Sequence, residues 1–287
     1  MLKLITPKEI NALPSKPADE IYFYGKHAKQ FLEIRRPVSF AKKGLNATIV
    51  IIHGGCWKSY YANCKNTAAL ADALRDHGYL TINLEYRAID HEGGGWPGTF
   101  NDISMGINYL QQIADVERLD SKQVIAIGHS SGGHLAMWAL ARHKLELNSS
   151  LFQPLAIELR GAIALGGASD LKKHFQHFNN ICGEDTLINL FNGTPEQNLE
   201  NYQQGTAAGL LPIAKPQVYI TGEVDLAVPP SFAESFFQLA QEKGDSTFVE
   251  CISVKDVGHH EYNDPRHDIF SLILKHTKGI LRNNPHT

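Results

Sequence analysis

The sequence lacks the features that mark several large classes of protein. It has little net charge, with 27 Lys and Arg against 30 Asp and Glu, which argues against a nucleic-acid surface or a polybasic membrane patch. No stretch approaches the roughly 20 apolar residues that a membrane span needs. The first ten residues do not build the apolar core of a secretory signal. We therefore expect a soluble, cytoplasmic protein that binds neither nucleic acid nor membrane.

Cysteine is also scarce. The sequence has four, scattered along the chain without a C-x-x-C pair: Cys56, Cys64, Cys182 and Cys251. This spacing fits neither a small disulfide scaffold nor a zinc ribbon. We expect four free thiols in a reducing compartment.

Histidine, by contrast, is abundant at 14 residues, which raises the question of a metal site. Only His174 and His177 share a helix-like spacing, and the H-E-x-x-H pattern of zinc hydrolases is absent. Two solvated histidines in a variable segment are the commoner case. The sequence therefore predicts no metal and no other cofactor.

The chain is predicted to be a folded α/β protein, because 43% of its residues are hydrophobic and 20% are charged. Several short runs are rich in Val and Ile and apolar on both faces, as buried parallel strands are. These runs are 48–52, 79–84, 124–127, 162–165, 218–221 and 248–254. Helix-length segments alternate with them at 67–77, 97–113, 132–143, 231–243 and 265–281. This alternation predicts a mostly parallel, doubly wound sheet flanked by helices.

Two further segments complete the predicted organisation of one domain over residues 1–287. The N-terminal segment 1–45 contains two candidate antiparallel edge strands, 21–24 and 31–38. Residues 169–211 are polar, without a clean strand, and lie between two predicted strands. A segment of this length between sheet elements is typical of a lid or specificity region with short helices.

The sharpest local motif is the G-x-S-x-G of residues 128–132, directly after one predicted strand and directly before a predicted helix. A nucleophile elbow needs such a tight strand-to-helix turn, with small residues beside a serine in strained backbone geometry. The motif nominates Ser130 as a nucleophile. The alternative is a glycine-rich turn that begins an ordinary helix.

A second motif, H-G-G-C-W at residues 53–57, also follows a predicted strand. Two adjacent glycines allow backbone N–H groups to approach a reacting carbonyl and to bind the oxyanion that develops there. Gly54 and Gly55 are therefore candidates for an oxyanion hole. Cys56 and Trp57 are candidates for substrate contact. The alternative is a turn that ends the strand, with a packed tryptophan.

Together, these two motifs resemble those of the α/β-hydrolase superfamily, and in particular its esterase and arylformamidase (kynurenine formamidase) branch. The resemblance covers about residues 45–270 and implies a Ser–Asp–His triad in that chain order. It implies Asp225 as the acid, with Glu223 as the alternative. It implies His259 as the base, with His260 as the alternative, because His259 fits better the spacing to the following Asp-Pro. Ser131 would supply an N–H to the oxyanion hole.

The resemblance implies a serine hydrolase that cleaves a small ester or an N-formyl aryl amide through an acyl-enzyme. The motifs do not separate these substrates. A second hypothesis is a non-catalytic protein that binds a small ligand on a hydrolase scaffold. Either would have a small molecule as its partner, and the oligomeric state, monomer or homodimer, is left open.

Overall fold

The computed structural model describes residues 4–38, 44 and 46–282. Within them, eight strands form one sheet: β1 (Glu20–Phe23), β2 (Phe31–Arg35), β3 (Asn46–Ile52), β4 (Leu80–Leu84), β5 (Leu119–His129), β6 (Ala162–Leu165), β7 (Gln217–Gly222) and β8 (Val249–Val254). Their order across the sheet is β1-β2-β4-β3-β5-β6-β7-β8. β2 pairs antiparallel with β1 and β4. The remaining pairs are parallel, which confirms the predicted sheet.

Helices cover both faces of this sheet. In the described residues they are α1 (Pro7–Asn11), α2 (Ala68–Asp76), α3 (Gly98–Ile113), α4 (Ser131–Ala141), α5 (Phe175–Cys182), α6 (Thr186–Phe191), α7 (Leu199–Gln204), α8 (Pro230–Glu242) and α9 (Ile269–Arg282). Apolar residues of α2 and α9 pack on one face. Those of α3, α4, α8 and the short helices α5–α7 pack on the other.

The sequence of β3 shows why the sheet is buried on both sides. Side chains alternate between the faces of a strand, and Val50 and Ile52 join one core while Ile49 and Ile51 join the other. None of the four is more than 1% exposed. An unbroken apolar run is therefore what a central strand between two helical layers requires.

The N-terminal segment and the insertion are now defined in structure. β1 and β2 are the predicted antiparallel edge strands, and α1 precedes them. Residues 1–3, 39–43 and 45 of the predicted N-terminal segment lie outside the described residues. The predicted insertion 169–211 carries α5, α6 and α7.

The last helix begins later than its sequence pattern predicts. The pattern starts it at Pro265, whereas α9 starts at Ile269. The Asp264 carboxylate accepts hydrogen bonds from the backbone N–H and the guanidinium of Arg266, at 2.7–2.9 Å. These bonds hold the intervening residues in a turn and delay the helix. No helix in the described ranges is long and apolar enough to cross a membrane.

Candidate active site

Ser130 lies in a sharp turn between β5 and α4. Its backbone is left-handed, with φ +54° and ψ −121°, a conformation that costs a non-glycine residue about 1–3 kcal/mol. Its N–H is bonded to the Leu165 carbonyl at 2.9 Å. At Gly132 any Cβ would lie 2.1 Å from the Ile52 carbonyl oxygen, so only glycine lets α4 pack this closely against β3. The turn thus has the form of a nucleophile elbow.

Ser130, His259 and Asp225 form one hydrogen-bonded chain. Ser130 Oγ lies 2.9 Å from His259 Nε2, and His259 Nδ1 lies 2.8 Å from Asp225 Oδ2. A carboxylate only accepts, so a neutral His259 carries its proton on Nδ1 and leaves Nε2 free to accept from the serine hydroxyl. The residues follow β5, β7 and β8, and the carboxyl ends of parallel strands meet at one edge of the sheet.

The Asp225 carboxylate is buried, with 1% of the residue exposed. Its Oδ1 accepts from the backbone N–H groups of Ala227 and Val228, both at 2.9 Å. The Tyr262 hydroxyl lies 3.4 Å from Oδ2 and itself accepts from the Gly222 N–H at 2.6 Å. These hydrogen bonds orient the carboxylate toward the imidazole.

The alternative triad residues are placed differently. Glu223 is exposed in the turn after β7, and the described hydrogen bond of His259 Nδ1 goes to Asp225 rather than to Glu223. His260 lies beside His259, with ring centroids 5.3 Å apart. Burial and the neighbouring His259 lower the pKa of His260 to about 4, so its ring is neutral near pH 7.

The loop after β3 lies directly against the nucleophile. A Cβ at Gly54 would lie 2.7 Å from the His129 carbonyl oxygen and 3.0 Å from Ser130 Cβ. Gly55 and Cys56 follow with positive φ, and among the described residues no acceptor is found for their N–H groups. The first N–H groups of a helix have no intrahelical acceptor, and within the described ranges none is found for the N–H of Ser131 at the start of α4.

A cavity of about 300 Å³ opens beside Ser130. Its described lining has no Asp, Glu, Lys or Arg. From the carboxyl edge of the sheet and the turns after it come Gly54, Gly55, Cys56, Tyr61, Ala62, Asn66, His129, Ser130, Ala227, Val228, His259, His260 and Asn263. From α1 and α5 come Pro7, Ile10, Phe178, Ile181 and Cys182.

Two of the cysteines form a disulfide, so the prediction of four free thiols is wrong. Cys56 of the loop after β3 is bonded to Cys182 at the end of α5, 126 residues later. Cys64 and Cys251 are free. The pair could not be found from spacing, because the fold alone brings the two together. The argument from free thiols to a reducing compartment loses its basis.

Of the two predicted substrate contacts, Cys56 lines the cavity and Trp57 does not. Trp57 is 1% exposed and packs edge-on against His134 and Phe178. We therefore correct its predicted role from substrate contact to packing. The backbone of Trp57 is left-handed, with φ +55°, and its ring is buried in the core.

The pair His174 and His177 is used in packing. The His174 ring stacks on Phe232 with centroids 3.5 Å apart, and burial lowers its pKa to about 4. His177 Nε2 lies 2.9 Å from the Ala227 carbonyl oxygen. The two rings thus attach the insertion to α8 and to the loop after β7.

Sequence reasoning missed several residues around the site. Asn263 and His129 form a hydrogen bond beside the triad. The buried Glu261 carboxylate accepts from the backbone N–H groups of Ile5, Gly258 and His260, at 2.8–3.2 Å. Glu261 thus attaches the N-terminal segment to the loop that carries His259. The one sequence signal that could have indicated Glu261 is its position directly after two histidines.

The chain matches known proteins in both sequence and structure. The BD-FAE family model matches residues 32–239. Dipeptidyl-peptidase 5 of Schizosaccharomyces pombe is 24% identical, over 94% of this chain and 39% of that protein. Isoprenylcysteine alpha-carbonyl methylesterase ICME of Arabidopsis thaliana is 24% identical, over 80% of this chain and 54% of that protein. The chain thus spans only part of the length of these curated relatives.

Solved structures share the fold over nearly the whole chain. A thermophilic esterase from the Planctomycetes species Thermogutta terrifontis has a TM-score of 0.72 at 18% identity, covering 92% of both chains. A truncated carbohydrate esterase from gut microbiota has a TM-score of 0.74 at 19% identity, covering 92% of this chain and 97% of that one. T. terrifontis esterase 2 phosphorylated by paraoxon has a TM-score of 0.69 at 18% identity, covering 93% of both chains.

The family match covers more than half of the chain, and these solved structures share its fold at TM-scores of 0.69–0.74. The finer assignment to an arylformamidase branch stays a prediction. The chain has the α/β-hydrolase fold and belongs to the BD-FAE family.

Proposed function

We propose that the protein is a serine esterase that cleaves a small, uncharged carboxylic ester through an acyl-enzyme. The observation that carries the proposal is the hydrogen-bonded chain Ser130–His259–Asp225, with links of 2.9 and 2.8 Å, at the wall of a cavity. A serine hydroxyl is a weak nucleophile on its own, and a base within hydrogen-bond reach activates it.

In the proposed reaction, Ser130 Oγ attacks the ester carbonyl while His259 Nε2 takes the hydroxyl proton. His259 then gives this proton to the departing alcohol, and an acyl group remains on Ser130. Water hydrolyses the acyl-enzyme by the same steps with a water oxygen as nucleophile. Asp225 holds the imidazole tautomer and stabilises the imidazolium that forms at each proton transfer.

The negative charge that develops on the carbonyl oxygen needs hydrogen-bond donors to stabilise it. We assign this role to backbone N–H groups of the loop that holds Gly54 and Gly55 and to the N–H of Ser131, and the positive end of the α4 dipole adds to them. Such a donor typically contributes about 2.7–4 kcal/mol to transition-state stabilisation. Cys56 N–H lies in the same loop.

The substrate class follows from the cavity wall. A charged group bound there would lose its hydration without gaining an ion pair from the described lining. The cavity volume of about 300 Å³ is at the small end of the range for ligand sites. An N-formyl aryl amide would use the same catalytic residues. Among the relatives, the names esterase and methylesterase favour an ester, whereas the name dipeptidyl-peptidase 5 points to an amide bond. The solved structures that share the fold over nearly the whole chain carry the name esterase, and on these we base the proposal of an ester.

The test compares wild type with Ser130→Ala on p-nitrophenyl acetate and on N-formylkynurenine. We expect turnover of the ester by wild type and loss of nearly all of it in the variant. Ser271→Ala, on an exposed position of α9, is the matched control and should keep full activity. Wild-type turnover no better than that of Ser130→Ala would favour the non-catalytic binding protein. A higher kcat/KM for N-formylkynurenine would favour the amide.

A further inference from the structure

His129, the residue before the nucleophile, contacts two other loops of the proposed active site, the one after β3 and the one after β8. It ends β5, so its backbone leads directly into Ser130. The residue is 7% exposed. A Cβ at Gly54 would lie 3.2 Å from its Nδ1, so the ring is packed against the loop after β3. Its Nε2 lies 2.7 Å from the backbone carbonyl oxygen of His259.

The partner of the other ring nitrogen fixes the tautomer of His129. Asn263 Nδ2 lies 3.0 Å from His129 Nδ1, and an amide NH₂ only donates. Nδ1 therefore accepts, Nε2 carries the proton, and Nε2–H donates to the His259 carbonyl. Burial and the neighbouring histidines His259 and His260 hold the pKa of His129 well below its usual range, which keeps this ring neutral.

His134 is a useful contrast, because it is another buried histidine close by in the sequence. It is 1% exposed, and its Nε2 lies 2.8 Å from the Gly205 carbonyl oxygen in the insertion. Its Nδ1 has no partner in the described part of the chain. Both histidines bond to a distant carbonyl, but only His129 has two satisfied nitrogens and a bond to a triad residue.

We propose that His129 is a positioning residue for the reaction: its ring ties the backbone of His259 to the strand that carries Ser130 and sets the distance between Oγ and Nε2. The inference rests on the proposed function. A hydroxyl-to-imidazole proton transfer needs heavy atoms within about 2.6–3.2 Å. A loop free to move by about an ångström would break that contact and slow chemistry without weakening substrate binding.

The experiment compares four variants with wild type on p-nitrophenyl acetate. His129→Leu removes both ring hydrogen bonds. His129→Gln keeps an amide N–H near the position of Nε2. His134→Leu removes a hydrogen bond from a histidine of similar burial, and Ser130→Ala tests the proposed function itself. Thermal unfolding of each variant accompanies the kinetics.

We expect His129→Leu to lower kcat by about tenfold to a hundredfold with KM nearly unchanged, the pattern of a lost transition-state interaction. His129→Gln should recover most of that loss, and His134→Leu should keep the wild-type kcat even where its unfolding temperature falls. If His129→Leu does not fold, the comparison of His129→Gln with Asn263→Leu decides. His129→Gln should keep kcat, and Asn263→Leu, which removes the hydrogen bond to His129 Nδ1, should lower it.

Three results would overturn the inference: a wild-type kcat in His129→Leu, a His129→Gln variant as slow as His129→Leu, or an equal loss of kcat in His134→Leu. In each case an inactive Ser130→Ala leaves the proposed function standing. If Ser130→Ala is as active as wild type, the proposed function itself fails.

Discussion

Two groups of residues line the cavity, and they are built in different ways. The first, which we call the strand-end wall, consists of Gly54, Gly55, Ser130 and His259 and follows β3, β5 and β8. The second, the added wall, consists of Pro7 and Ile10 of α1 with Phe178, Ile181 and Cys182 of α5. The sheet holds the strand-end wall in place. The added wall is held by scattered links, among them the disulfide to Cys56, the hydrogen bond from His177 to the Ala227 carbonyl and the hydrogen bond from Ile5 to Glu261.

We infer from this difference that the strand-end wall carries the chemistry and the added wall shapes the rest of the cavity. Atoms that make and break bonds need fixed distances, and rigid elements supply them better than loops do. A wall that shapes the rest of the cavity can be attached afterwards and can change without loss of the chemistry. We therefore expect changes in the strand-end wall to lower kcat and changes in the added wall to alter stability or substrate preference.

Apart from Ser130 itself, the largest effect is expected at Gly54. In Gly54→Ala the new Cβ would meet the His129 carbonyl oxygen at 2.7 Å and Ser130 Cβ at 3.0 Å, which displaces the loop from the nucleophile. We expect kcat for p-nitrophenyl acetate to fall about a hundredfold to a thousandfold, as when an oxyanion donor is lost.

The matched control is Gly279→Ala in α9, where a new Cβ would meet nothing within 4 Å. It should keep the wild-type kcat. A Gly54→Ala variant with wild-type kcat would remove the argument that this loop must approach Ser130 closely.

The disulfide is expected to matter for stability. Changing both Cys56 and Cys182 to serine opens a closed loop of 126 residues, and a link of this kind typically contributes about 2–4 kcal/mol to the free energy of unfolding. Urea unfolding of the double variant should show this loss, and a dithiol reductant should lower the wild-type midpoint but not that of the double variant.

Cys251→Ser changes a free cysteine and is the control, with an unchanged midpoint. If the double variant unfolded at the wild-type midpoint, the disulfide would not anchor the added wall. A hundredfold loss of kcat in the double variant would contradict the division between the walls.

The smallest effect is expected at Ile10, which is 4% exposed and lines the cavity. Ile10→Ala removes side-chain volume from the added wall and enlarges the cavity, so kcat/KM for p-nitrophenyl hexanoate should rise relative to kcat/KM for p-nitrophenyl acetate. One methylene in an apolar pocket contributes about 1–3 kcal/mol to the discrimination between substrates. We expect the change in the ratio of the two kcat/KM values to correspond to part of this free energy. Ile21→Ala on β1, where Ile21 is 48% exposed, should leave the ratio unchanged. An unchanged ratio in Ile10→Ala would mean that α1 does not contact the acyl group.

The strand-end wall was largely predictable from sequence, and the added wall was not. G-x-S-x-G and H-G-G are local patterns, because a tight turn after a buried strand requires particular residues within five positions. The acid and base came from the resemblance, and the structure brings Asp225 and His259 into hydrogen-bond contact.

No local pattern marks the residues of the added wall. Ile10 belongs to a helix of five residues, too short to show a period. Cys182 pairs with a cysteine 126 positions away, and connectivity between distant cysteines depends on the fold rather than on their spacing. The contact of His129 with His259 has the same origin, because it joins residues 130 positions apart.

The central claim is that Ser130 is the nucleophile, and covalent labelling tests it most directly. T. terrifontis esterase 2, which shares the fold, has been solved phosphorylated by paraoxon. Incubation of this protein with paraoxon, followed by intact-mass and peptide mass spectrometry, should show one diethylphosphoryl group on Ser130 with release of p-nitrophenolate, and none on Ser130→Ala. Labelling of a different residue, or equal labelling of Ser130→Ala, would contradict the account.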